Sequence, residues 1–188
     1  MTARAFNTGL IVGRFQIFHI GHERMVRTAL KLCRTVLLLV GSSQEARTAT
    51  NPLSYAERRE MIGTVFAREV AAGRLRIEPL PDLGVGNVPA WGQYVLNTAV
   101  SFLGTAPELL VSGKEVRRVN WFDAANAQLA ELYVPKTVEI SASQLRELLL
   151  GDAPECCREF IPEKLWPRLA AYRDVILASR DNNETASV

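Results

Sequence analysis

Two short apolar runs organise the first part of the chain: "GLIV" at 9–12 and "TVLLLVG" at 35–41 are built from Leu, Ile and Val and bounded by glycine. Continuous runs of this length are how strands buried on both faces read. Between them, in "HERMVRTALKLCR", Met25, Ala29, Leu32 and Cys33 recur at helical spacing with charges on the other side, which predicts an amphipathic helix. The alternation continues with a helix over 55–69, a strand over 74–80, a helix over 90–102 and a strand over 108–112. Strand and helix in strict alternation predict an α/β fold, a Rossmann-like parallel sheet with helices on both faces.

The connecting segments agree with that order. "NPLS" at 51–54 offers Ser54 as an N-cap with Glu57 three residues on, a capping box. "LPDLGVGNVP" at 80–89 is rich in Gly and Pro and has no periodicity. Such loops at the carboxyl edge of a parallel sheet commonly bind ligands, so substrate contacts are expected there. Past Val138, "EISASQLRELLLGD" reads as a strand end leading into a helix capped by Gly151, and a last helical region is expected over 162–179. The polar end "RDNNETASV" has almost nothing to bury and is expected to be disordered. The organisation predicted is one domain over 1–180, with a sheet core at 8–150, C-terminal helices at 154–180 and a tail at 181–188.

Composition narrows the function classes. With 188 residues, 48% of them hydrophobic, the chain can bury one good core. The 22 Lys and Arg nearly balance 20 Asp and Glu, and no basic run interleaved with aromatics tracks a phosphate backbone, so nucleic acid is not an expected partner. Cys33, Cys156 and Cys157 lack zinc-site spacing and suit a reducing compartment. The first fifteen residues lack the long apolar core of a leader, and no apolar run approaches the roughly 20 residues needed to cross a bilayer. A soluble, cytoplasmic protein without membrane partners is expected.

The only two histidines fall within four positions, in "GRFQIFHIGH". If the first strand ends near Gly13 and the next helix begins near Gly21, His19 and His22 sit beside a helix N-terminus, where unpaired N–H groups and about half a positive charge attract anions. Arg14 adds a fork-shaped cation. These residues together suit a phosphate clamp, while the histidine pair alone also suits helix capping. A protein-held metal is not expected, because no third His or Cys ligand lies near.

The string as a whole resembles the signature of the nucleotidyltransferase superfamily with the HxGH motif. Within it, "GRFQ" and "GSSQEARTATNP" at 41–52 look like the nicotinamide mononucleotide adenylyltransferases of archaeal and bifunctional bacterial type. "ISASQLR" at 140–146 matches the family's second signature, a Ser-rich turn and an arginine opening a helix. The resemblance covers most of 8–165. It implies an enzyme that joins the 5′-phosphate of a mononucleotide to the α-phosphorus of ATP, releasing pyrophosphate.

By the same resemblance, His19, His22 and Arg146 are the catalytic candidates. ATP and its phosphates would be bound by Gly13, Arg14, Phe15, Gln16, His19, Gly21, His22, Ser112, Gly113, Ser141, Ser143 and Arg146. Arg47, Asn87 and Trp91 would bind the pyridine mononucleotide, with Trp91 on its ring. Mg2+ is implied as a cofactor held chiefly by the ATP phosphates and water, and assembly into a homo-oligomer is a family analogy. Ser141 and Ser143 also fit ordinary N-capping, Arg146 a solvated helix face, and Trp91 a core position.

The sequence departs from the family at three places. Ile17 stands where the family has proline, which removes a fixed φ and is expected to loosen the turn. Thr50 stands where an arginine is frequent, with Arg47 at an earlier basic position, and Lys114 breaks an "SGN"-like pattern in "SGKEVRR". The Nudix hydrolase domain of the bifunctional relatives is not expected in 188 residues. Nicotinic acid mononucleotide or phosphopantetheine as acceptor, cytidylyl transfer, and a nucleotide-binding module without turnover remain open. An ordinary dinucleotide-binding domain is set aside, because no GxGxxG follows the first strand.

Overall fold

The uninterrupted apolar runs become two interior strands of a five-stranded parallel sheet in the computed structural model, which describes residues 4–86, 88–113, 121 and 129–185. β1 (Phe6–Gly13) pairs with β2 (Cys33–Gly41) from Phe6 beside Cys33 to Gly13 beside Val40. β3 (Leu75–Leu80) lies outside β2, while β4 (Leu109–Ser112) and β5 (Ala130–Tyr133) extend the sheet beyond β1, giving the order β3-β2-β1-β4-β5.

Alternate residues of a strand face opposite sides. Ile11, Val36, Leu38 and Val40 therefore join one apolar cluster, and Leu10, Val12, Leu37 and Leu39 the other. The first cluster is covered by α1 (Ile20–Leu32), α2 (Tyr55–Val65), α5 (Ala142–Leu150) and the C-terminal α6 (Leu169–Thr185). α4 (Pro89–Leu103) covers the second through Trp91, Val95 and Ala99. Helices thus cover both faces, as the alternation predicts. The β3-to-β4 connection returns the chain past β2 and β1, so the strand order reverses between β1 and β4. Sheets of this kind bind ligands outside the carboxyl ends of the strands at that reversal.

Four segments differ from the sequence expectation. The helix predicted over 55–69 is broken at Phe66 into α2 and α3 (Ala67–Ala71). Phe66 turns its fully buried ring edge-on to Phe18, 6.2 Å away, and its backbone leaves the helical region. β5 was not predicted: its "AELY" is four residues long and only partly buried at the sheet edge. The strand end expected at 138–140 is instead an irregular crossing from β5 to α5. The C-terminal helix continues to Thr185, so the polar tail expected to be disordered extends α6 through 185, each added residue gaining a backbone hydrogen bond.

One side chain joins the elements that carry the carboxyl edge of the sheet. Arg58 on α2 is fully buried. Its guanidinium donates to the carbonyls of Arg14 at 2.9 Å, Gly41 at 2.7 Å, Ser42 at 3.1 Å and Ser54 at 3.2 Å. Two of these carbonyls adjoin strained backbone, because Phe15 has φ 55° and Ser42 has φ 47°, conformations that bulky or β-carbon-bearing residues hold only when the surroundings fix them. Burial lowers the guanidinium pKa to about 10, which leaves it charged at neutral pH.

Removing that fork leaves several buried carbonyls unsatisfied. Arg58→Leu is expected to cost about 3 kcal/mol or more of unfolding free energy, read as a urea midpoint shift, and Arg58→Lys to recover only part of it, because an ammonium cannot reproduce the planar fork. A midpoint within experimental error of the parent in Arg58→Leu would refute this role.

Candidate active site

The chain leaving β1 turns through Arg14–Phe18 into the N-terminus of α1, and the residues that make this turn hold one another in place. Gly13 lies against the Phe15 ring so closely that a Cβ there would fall 2.8 Å from it. Phe15, 1% exposed, in turn sets its ring edge-on to His22 at 4.9 Å. Gln16 is buried and exchanges two hydrogen bonds with the backbone of Leu53, at 2.8 and 2.9 Å. The Gln16–Ile17 peptide is cis and Ile17 is fully buried. The turn expected to be loosened by Ile17 is therefore tied at Gln16, at the carbonyl of Arg14 by Arg58, and at the carbonyl of Gln16 by Arg146.

His19 is the N-cap of α1. Its Nδ1 accepts from the Gly21 N–H at 3.1 Å, and the His19 N–H points to His22 Nδ1 at 3.4 Å, a capping box made of two imidazoles stacked 3.7 Å apart. A Cβ at Gly21 would sit 3.0 Å from the His19 ring, so glycine there serves the cap. An imidazole whose Nδ1 accepts a backbone N–H is neutral and carries its proton on Nε2. Burial pushes His19 down to about 4, with Lys136 adding to the effect; burial and then His19 lower His22 well below its ordinary value. At neutral pH both rings are thus uncharged Nε2–H donors.

α5 presents the second helix N-terminus. Ser141 is its N-cap, with Oγ accepting from the Gln144 N–H at 3.2 Å. Arg146 reaches the Gln16 carbonyl and the Ser143 hydroxyl, the latter at 3.4 Å. Burial, with Arg14 nearby, lowers its guanidinium pKa. The two helix ends converge on a cavity of about 310 Å³. Of the residues singled out from sequence, Gly13, Arg14, Phe15, Gln16, His19, Gly21, His22, Gly113, Ser141, Ser143 and Arg146 all line it.

Arg24, Lys136 and Thr137 line the same cavity and were missed. Arg24 lies two residues past the HxGH stretch in "HER", which is the only local signal for it; Lys136 and Thr137 enter because the β5-to-α5 crossing passes over the site. Arg14 is exposed, and among the described residues its guanidinium has no hydrogen bond or ion pair.

The remaining candidates are placed elsewhere. Ser112 is buried at the end of β4, within 3.4 Å of Glu131, and does not line the cavity. Trp91 is 8% exposed and packs edge-on to Trp121 at 6.2 Å. It belongs to the core as well as to a second cavity of about 210 Å³, which also meets Arg14. Arg47 lines neither cavity; it pairs with Glu57 through two hydrogen bonds of 2.8 Å, and that pairing, ahead of the Ser54 contacts, holds the Glu57 carboxyl down at about 2. Asn87 and Lys114 lie outside the described residues.

The lowered imidazoles set a pH dependence. Between 6.5, the ordinary value, and about 4, the unfolded chain binds a proton at His19 that the folded chain refuses, so stability is complete above that window and falls as pH drops through it. The ligand-free protein is expected to lose Tm across this range, and His19→Gln to flatten the loss. A parent Tm flat from pH 7 to 4.5 would contradict the neutral capping pair.

Comparison with known proteins places this geometry. The cytidylyltransferase-like family model matches residues 10–73, which hold the second half of β1 together with α1, β2, α2 and α3. The nicotinamide-nucleotide adenylyltransferase of Aeropyrum pernix is 33% identical over 143 residues, 74% of this chain and 77% of that one. The nicotinamide-nucleotide adenylyltransferase of Saccharolobus solfataricus is 42% identical over 89 residues, 46% of this chain and half of that relative's length. The fold matches a bifunctional NMN adenylyltransferase/ADP ribose pyrophosphatase of Francisella tularensis, solved with AMP and a manganese ion, at a TM-score of 0.70 and 19% identity over 96% of this chain and 54% of that one. With a doubly covered parallel sheet, an HxGH turn at its first crossover and an identity of 33% across most of the Aeropyrum enzyme, the chain belongs to the nicotinamide-nucleotide adenylyltransferase family of nucleotidyltransferases.

Proposed function

We propose that this chain is an adenylyltransferase that joins nicotinamide mononucleotide to ATP, giving NAD and pyrophosphate. The observation that carries this reading is the convergence of two helix N-termini, one capped by His19 and His22 and one by Ser141, on a single cavity that meets the Trp91 cavity at Arg14. The triphosphate lies in the first cavity and the mononucleotide in the second. A phosphate oxygen of the mononucleotide forms a bond to the α-phosphorus as the bond to the oxygen bridging to the β-phosphate breaks, and that oxygen leaves with pyrophosphate.

No side chain becomes covalently attached, so rate comes from orientation and from donors fixed where negative charge develops. His22, wedged between Phe15 and His19, donates Nε2–H to the reacting phosphate without losing a proton to solvent. His19, Ser141, Ser143 and the Arg146 guanidinium hold the outer phosphates, and Arg14 lies where the two substrates meet. The described residues hold no cluster of three or more His, Cys, Asp or Glu suited to a metal ion. On this reading Mg2+ would come in on the triphosphate, held by phosphate oxygens and water, and would neutralise phosphate charge. No described helix is long and apolar enough to cross a membrane; the cytoplasm is the compartment this reading assigns to the reaction.

Purified protein with Mg2+, ATP and nicotinamide mononucleotide is expected to release pyrophosphate as NAD appears in equal amount. Absence of both products, with nicotinic acid mononucleotide and phosphopantetheine also inert, would refute adenylyl transfer. His22→Ala is expected to lower kcat about 10²–10³-fold while changing the KM for the mononucleotide by less than about threefold. An unchanged kcat would remove His22 from the chemistry.

A further inference from the structure

We propose that Asp82 makes the second cavity selective for the amide-bearing pyridine mononucleotide over its carboxylate-bearing counterpart; this rests on adenylyl transfer to a pyridine mononucleotide as given above. The cavity runs along the carboxyl ends of three adjacent strands, with Arg14 after β1, Ser42 after β2 and Asp82 after β3. Two strand spacings separate the backbones that carry Arg14 and Asp82, about 10 Å. A mononucleotide spans a similar distance from its phosphate to the far side of its ring. Arg14, shared with the triphosphate cavity, fixes the phosphate end, because that is where the attacking oxygen has to be. The ring then lies toward Asp82, against the wall that the packed indoles of Trp91 and Trp121 give this cavity.

The carboxylate is exposed but held. Its Oδ1 accepts from the Gly84 N–H at 2.9 Å and its Oδ2 from the Ser42 hydroxyl at 3.4 Å. The Asp82 backbone N–H donates to the Gln44 side-chain oxygen at 2.9 Å, and the Asp82 carbonyl accepts from the Gln44 amide at 3.2 Å. A pyridinium ring is cationic, so a fixed carboxylate and two aromatic rings attract it. The amide-substituted ring keeps that charge. The acid-substituted ring brings a second carboxylate toward Asp82 and is opposed by like charge, a repulsive element of the kind that sets specificity.

The test is pyrophosphate release with each mononucleotide in turn, for the parent, Asp82→Asn and Asp82→Glu. The parent is expected to favour the amide, Asp82→Asn to cut the amide-to-acid ratio of kcat/KM about tenfold, and Asp82→Glu to keep most of the preference. A parent that uses both equally, or an Asp82→Asn ratio equal to the parent's, overturns the proposal. If neither mononucleotide gives pyrophosphate, the reaction proposed above fails, and calorimetric binding of the two to the same three proteins decides the matter separately. Tighter binding of the amide that Asp82→Asn abolishes upholds selection by charge, and equal affinities overturn it.

Discussion

The buried guanidinium of Arg58 is the constraint on which the site depends. β1 and β2 both end at the carboxyl edge of the sheet, and their last carbonyls point where no neighbouring strand can pair them. Arg58 takes up the carbonyls of Arg14, Gly41 and Ser42 together, and that of Ser54 at the start of its own helix. A planar fork of donors can do this where a single ammonium cannot. The positive φ angles at Phe15 and Ser42 are then affordable, because the chain on either side is fixed. From that fixed turn follow the position of the Phe15 ring, the wedging of His22 against it and the opening of the cavity beside Arg14.

The proposed phosphate site is made from groups that already have a structural role. His19 and Ser141 are N-caps, and each helix N-terminus they cap adds its own N–H groups and partial positive charge. Arg14, Arg146 and Lys136 bring formal charge to the same cavity. Burial of the rings, with Lys136 beside His19 and His19 beside His22, makes protonating the imidazoles unfavourable, and they stay neutral donors. The cavity thereby collects positive potential without charging its two histidines, as the proposed triphosphate site requires, and a phosphate chain bound there would raise the same imidazoles toward protonation.

Much of this was legible in the sequence where the signal was local. β1 and β2 were readable because strands buried on both faces have no polar interruption, and the two helix caps because His19, Gly21, His22, Ser141 and Gln144 act within three residues of one another. What failed was decided by distant partners. The break at Phe66 depends on Phe18, and β5 is a short, half-buried edge strand whose pairing with β4 is visible only once the sheet exists. Arg47 reads as a mononucleotide-binding residue by resemblance, and in the structure its guanidinium is paired with Glu57. Arg58 reads as one charge among many in "SYAERREM", yet it shares a helix face with Met61, Ile62 and Val65, and that spacing was the available signal that it points into the core.

The central physical claim is that the two histidines are neutral, with Nδ1 unprotonated and Nε2–H facing the phosphate cavity, before any nucleotide binds. Nitrogen-15 NMR of the histidine side chains in the ligand-free protein at pH 7 reads this directly, because Nδ1 and Nε2 give separate signals in each protonation state. Two neutral Nε2–H imidazoles are the predicted result. An imidazolium at either position, or a proton on Nδ1, would contradict it.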